Sequence, residues 1–131
     1  MSNRAIRSDR PALHEVKAEL FRALGHPLRV RVLELLSGAD KRLDVTESTV
    51  SALLHETGIE PSTLSTHLAI LRRAGVVQTR REGTTIFYRL ADPSVQELLV
   101  AARTFLYGTL SRNSGLIADL EQDLAQSGDA R

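Results

Sequence analysis

Five short polar side chains fall within two helical turns of one another: Ser62, Thr63, Ser65, Thr66 and His67. Hydroxyls and an imidazole at that spacing, with no long acidic side chain among them, can exchange hydrogen bonds with base edges. Their shortness also lets a helix backbone approach a groove floor. Arg72 and Arg73 close the same segment, and Arg80, Arg81, Gly83 and Thr84 follow closely. Guanidinium groups present fixed donor forks to phosphate oxygens. This is the chemistry of recognising a duplex. Catalysis fits poorly: Ser65 and His67 are two residues apart, so their side chains point about 200° apart around a helix and cannot form a nucleophile–base pair. No glycine-rich phosphate loop, carboxylate pair or metal triad motif occurs, so the chain is not expected to be an enzyme or to need a cofactor.

Such residues need a scaffold that turns them all outward. From Pro61 the spacing of Leu64, Leu68 and Leu71 predicts a helix over 62–74 with one aliphatic face, those three side chains falling within about 60° of each other. Ser62, Thr66, Ala69 and Arg73 lie opposite. Gly75 ends the helix, and residues 76–90 read as a β-hairpin wing with its tip at Glu82-Gly83, Gly83 taking a positive φ. Along Thr85–Leu90, Ile86, Tyr88 and Leu90 share one side and Phe87 and Arg89 the other. Upstream, helical spacing runs from Pro11 to Leu24 and from Leu28 to Leu36, and Ala39–Thr49 reads as a long surface loop. A short helix over Val50–Glu56 and the turn Thr57-Gly58-Ile59 complete a helix-turn-helix. Asp92 as N-cap and Pro93 begin a last helical region. The expected fold is therefore mainly α with a small β-hairpin, a winged helix-turn-helix with helices at both chain ends.

The chain of 131 residues is 42% hydrophobic and 25% charged, the composition of one globular domain, with a net charge of only +1. The charge is unevenly placed. Between Ser62 and Ala91 five arginines face one acid, Glu82, which is the footprint of a phosphate-facing surface on a near-neutral body. Residues 1–10 read as a mobile arm, 11–126 as a single DNA-binding and dimerisation domain, and 127–131 as a mobile tail. The terminal helical regions carry more apolar surface than one small domain can cover. Leu13, Val16 and Leu20, with Leu99, Phe105 and Leu106, are the expected homodimer interface. No apolar run is long enough for a membrane span and no signal peptide is evident, so the expected location is the cytoplasm.

Three blocks carry a resemblance: L-G-H-P-L-R-V-R-V-L-E-L-L over Leu24–Leu36, S-T-L-S-T-H-L-A-I-L-R-R-A-G-V-V over Ser62–Val77, and R-R-E-G-T-T-I-F-Y-R-L over Arg80–Leu90. Across about Pro11 to Arg112 the chain resembles the ArsR/SmtB family of bacterial winged-helix repressors. The resemblance implies a homodimer joined by helices at both chain ends, an inverted-repeat operator in double-stranded DNA, and repression relieved by an effector. Residue by residue it implies recognition-helix contacts at Ser62, Thr63, Ser65, Thr66 and His67, and wing contacts from Arg80 to Thr84.

Two departures separate this chain from the family's metal sensors. It has no cysteine, and Pro93–Arg112 contains no histidine and a single acid, Glu97, so neither usual metal site can be built. His14 with Glu15 is the one pair to consider for a non-standard site. Adjacent residues do not share a helix face, so such a site would need ligands from a partner subunit. The effector is left open: no metal site is assigned, and a small molecule in an interhelical crevice is an alternative. A metal-responsive repressor with a His/carboxylate site, or a winged helix used only for protein contacts, are the competing functions.

Overall fold

Val32, Leu33, Leu35 and Leu36 are all within 1% of complete burial, and they belong to one helix whose two ends are specified locally. His26 sits at the N-cap with extended backbone, and its Nδ1 accepts the Leu28 N–H at 3.0 Å. Pro27 takes the first helical position, where a missing N–H costs nothing. The computed structural model describes residues 10–38, 47–112 and 114–129. Its elements run α1 (Leu13–Leu24), α2 (Pro27–Ser37), β1 (Glu47–Thr49), α3 (Val50–Thr57), α4 (Pro61–Arg73), β2 (Val77–Glu82), β3 (Thr85–Leu90), α5 (Pro93–Arg112) and α6 (Ser114–Asp129).

Around α2 the core is completed by Ala23 of α1, Leu53 of α3, Leu64, Leu68 and Leu71 of α4, Val76 and Val77 at the entry to β2, and Val95. Each fully buried leucine contributes about 1.5–3 kcal/mol of transfer free energy, which is what fixes the inner face of α4. The chain separates into two compact units within α5, one ending at Gln96 and one beginning at Glu97. Among the described residues no helix is long and apolar enough to cross a membrane.

The loop expected over Ala39–Thr49 is corrected in part. Glu47–Thr49 is a third strand, pairing antiparallel with β3 through Glu47↔Arg89, Ser48↔Tyr88 and Thr49↔Phe87. The sheet order is β1-β3-β2, and Thr49 then caps α3 by accepting the Ala52 N–H at 3.1 Å. The rest of that loop, Ala39–Thr46, lies outside the described residues, as do residues 1–9 of the expected arm and the last two of the expected tail. Helix α6 runs through the first three residues of that tail to Asp129.

The joint between α4 and the wing is set by backbone geometry. Gly75 (φ 78°) follows the C-cap Ala74; its N–H bonds to the Arg72 carbonyl at 3.0 Å, and the Val76 N–H reaches back to Leu71 at 3.2 Å. That bond pair is a Schellman motif, and its left-handed residue favours glycine because a Cβ there is strained. Leu71 and Val76, the apolar pair that accompanies the motif, are both buried. The hairpin then turns at Gly83-Thr84, one residue later than expected, since Glu82 still pairs with Thr85. Gly83 has φ 64° and Thr84 a negative φ, the sign pattern of a type II′ turn, whose twist matches the strands it joins.

Candidate nucleic-acid interface

On α4 the division between faces is sharp. Leu64, Leu68 and Leu71 are no more than 2% exposed, while Ser62, Thr63, Ser65, Thr66, Ala69, Arg72 and Arg73 are open to solvent. The Thr66 hydroxyl donates to the Ser62 carbonyl at 3.1 Å, which leaves its oxygen lone pairs as the group it presents outward. Arg72 and Arg73 stand in the last turn, where cations complement the helix dipole. The outer face therefore combines hydroxyls along its length with guanidinium groups at its end.

The wing meets this face at Tyr88. Ser65, Ala69, Arg72, Arg73 and Tyr88 line a concavity of about 520 Å³ between the helix and the hairpin. By strand alternation Arg81 lies on the Tyr88 side of the hairpin, since Arg81 pairs with Ile86 and Thr79 with Tyr88. Arg81 is exposed and has no ion-pair partner among the described residues. Gly83 and Thr84, the turn residues, are exposed beside it.

Arg80 differs from its neighbour. Its Nε and Nη2 donate to the two carboxylate oxygens of Glu47 at 3.0 and 2.9 Å, and Nη1 donates to Glu82 at 3.0 Å. The guanidinium also lies over the Phe87 ring, 4.5 Å from its centroid. Its hydrogen bonds to Arg80 hold the Glu47 carboxyl below the ordinary carboxylate value, and the same bonds raise Arg80. Arg80 thus clips β1 to β2 across β3, and its charge is balanced before any phosphate arrives. Glu47 was missed as a partner because it lies 33 residues away in sequence, on a strand too short to show alternation. On the same face Arg89 donates to Gln78 at 3.0 Å.

His67 is a correction to the expected groove contacts. Its side chain is turned inward and only 9% exposed, its ring 4.3 Å from that of His26. Arg29 Nη1 donates to its Nδ1 at 3.1 Å. Burial, with His26 and Arg29 alongside, pushes the imidazole below its ordinary value and so favours the neutral ring. It belongs to the support of α4, not to the surface that α4 presents.

Among the expected interface residues, Leu13 (68% exposed), Val16, Phe105 and Leu106 are open, while Leu20 and Leu99 are half-buried. Phe21 and Tyr107 are further exposed aromatic residues on α1 and α5. His14 and Glu15 are both exposed, and among the described residues no three His, Asp or Glu side chains converge on a point where an ion could sit.

Known proteins share this arrangement. Residues 26–79 match the family model described as bacterial regulatory protein, arsR family. The HTH-type transcriptional regulator Rv0081 of Mycobacterium tuberculosis is 43% identical over 108 residues, covering 82% of this chain and 90% of the relative. Its crystal structure superposes with a TM-score of 0.68 at 42% identity, over 79% of this chain and 97% of that one. The biofilm growth-associated repressor of Xylella fastidiosa is 38% identical over 88 residues, 66% of this chain and 70% of its own. A solution structure from Mycobacterium bovis, described as a homodimeric winged helix-turn-helix DNA-binding domain, gives a TM-score of 0.63 at 31% identity, over 72% of this chain and 81% of that one. With this fold, this helix and these relatives, the chain belongs to the arsR family of bacterial winged helix-turn-helix transcriptional regulators.

Proposed function

We propose that the protein is a homodimeric repressor that binds an inverted-repeat operator, placing the outer face of α4 in the major groove and the wing on the flanking backbone. The observation that carries this reading is the set of exposed short polar side chains on α4, Ser62, Thr63, Ser65 and Thr66, ending in Arg72 and Arg73 beside the wing concavity. Ser62, Thr63, Ser65 and Thr66 address base edges; Arg73, Arg81 and the Gly83-Thr84 turn address phosphates. Exposed Leu13, Val16, Phe105 and Leu106 on helices near both chain ends support a second copy as the dimer partner. Two copies would set their α4 helices in half-sites about 34 Å apart, one turn of the duplex. This reading places the protein in the cytoplasm, beside its operator.

A fluorescence anisotropy titration of a duplex from the protein's own promoter region tests this. The affinity should fall linearly in log–log form with salt, by about 0.9 in slope for each phosphate neutralised. Binding unchanged from low to high salt, or no binding to any duplex together with a stable complex with another protein, would turn the reading toward protein contacts alone.

A further inference from the structure

Three hydrogen bonds leave the Arg29 guanidinium, and they end on two different helices. Nε donates to the Ala23 carbonyl at 2.6 Å and Nη2 to the Arg22 carbonyl at 3.2 Å, both at the C-terminal end of α1. Nη1 donates to His67 Nδ1 in the middle of α4. The carbonyls at a helix C-terminus lack intrahelical partners and carry partial negative charge, so a cation there is doubly suited. Beyond this bridge α1 and the C-terminal half of α4 are separated by a groove of about 700 Å³, lined by Val16, Leu20, Ile70 and Arg73 among others. The orientation of the recognition helix against α1 therefore rests in part on one planar fork.

We infer that Arg29 and His67 are positioning residues, a latch that sets α4 against α1 and holds only while the His67 ring is neutral. The reason is donor and acceptor inventory. A guanidinium has only donors, so His67 Nδ1 must accept and the ring proton must sit on Nε2. His26 obeys the same constraint, because its Nδ1 accepts the Leu28 N–H. Protonating His67 places an N–H where Arg29 needs a lone pair, beside a permanent cation and against a second imidazole 4.3 Å away.

The groups acting on the ring are His26 and Arg29 at the start of α2. Of the other elements packed on α4, α1 offers carbonyls to Arg29, and its nearby charges Glu19 and Arg22 pair with each other at the surface. β2 carries its charges (Arg80, Arg81, Glu82) at the wing end of the strand, and Arg73 of α4 itself borders the groove. Among the described residues no carboxylate acts on the ring to welcome the extra proton. Because burial lowers the folded ring's proton affinity, the latch is complete above the ordinary imidazole value of 6.5 and is lost as pH falls through the lower folded value. Operator affinity should fall with it.

The inference rests on the operator-binding reading, and its test separates the two. Operator affinity of the full chain is measured by anisotropy from about pH 7.5 down to the lowest pH at which circular dichroism still shows the native fold. Wild type should lose up to about tenfold in affinity per pH unit for each protomer on the acid side. H67N keeps an oxygen near the Nδ1 position and cannot titrate; it should bind at neutral pH and show a flat profile. A wild-type profile that is flat, or an H67N profile that falls in parallel with it, overturns the latch. If H67N does not fold, long-range nitrogen–proton NMR of the wild-type ring decides: the Nε2–H tautomer supports the latch, and the Nδ1–H tautomer ends it. A chain that binds no duplex at pH 7.5 fails the operator reading instead, and the tautomer still decides the latch.

Discussion

Helix α4 and the wing divide support from outward-facing chemistry in different ways. On α4, support and the proposed contact lie on opposite faces: Leu64, Leu68, Leu71 and His67 inward, hydroxyls and arginines outward. In the wing they alternate along one strand, so that Arg80 fastens the sheet to Glu47 while the next residue, Arg81, is left facing solvent. A helix has enough circumference to separate the two tasks. A two-stranded hairpin has only two faces, and one of its cations is needed to hold the third strand. Counting charges therefore overstates the wing: of five arginines between Ser62 and Ala91, one is already neutralised by acids.

The largest effect that tests the division should come from the inner face. Leu68 is 2% exposed, and Leu68→Ala should cost about 2–5 kcal/mol of stability by lost transfer energy plus a cavity. Urea unfolding measures it; a loss under about 0.5 kcal/mol would mean that face is not core. Next come the outward cations. Arg73→Ala and Arg81→Ala should each lower operator affinity on the order of tenfold at low salt. Each should also flatten the salt dependence by about 0.9 in slope per phosphate released. If Arg81→Ala binds as tightly as the parent, the wing does not touch the backbone where proposed.

What the sequence disclosed and what it concealed follow the same split. Local periodicity located α4 and its aliphatic face, because Leu64, Leu68 and Leu71 repeat at the helical period and their burial is decided within the segment. The residue type of His67 misled where its angle did not: at 100° per residue it falls within about 40° of Leu71, at the edge of the buried arc. A polar ring at that angle suggests a contact, whereas its burial is made tolerable by Arg29, a partner 38 residues away. β1 escaped for a related reason, since three residues cannot display an alternation and its strand character comes from pairing with β3. The Arg80 clip depends on that strand, so it was concealed twice over. Local chemistry is legible along a chain; whether a charged group has already been satisfied by a distant one is decided only by the fold.

Smaller effects sharpen the contrast further. Thr66 presents its oxygen outward as an acceptor, so Thr66→Val should change the ranking of operator variants by a few-fold to about tenfold. Its effect on stability should stay within about 0.5 kcal/mol, as for other surface positions. Competition binding against a small set of half-site variants reads the first quantity and thermal melting the second. A uniform loss across all variants would make Thr66 a backbone contact instead.

Arg80→Ala is the smallest in affinity and the most discriminating in kind. Since the guanidinium is held by Glu47 and Glu82, its removal should leave the salt slope of operator binding unchanged. The loss should appear in the sheet, as faster amide hydrogen exchange in β1 and the facing part of β3, and Glu47→Gln should reproduce it. Acid gives an independent check. The Glu47 carboxyl titrates below its ordinary 4.5 because Arg80 hydrogen-bonds its charged form. The clip is therefore intact above that value and lost as pH falls through the lower folded value, so β1 protection should vanish there in the parent but already be absent in the variant. Should Arg80→Ala instead flatten the salt slope as much as Arg81→Ala, Arg80 would be a phosphate contact that exchanges Glu47 for DNA, and the wing would divide its tasks in time where the helix divides them in space.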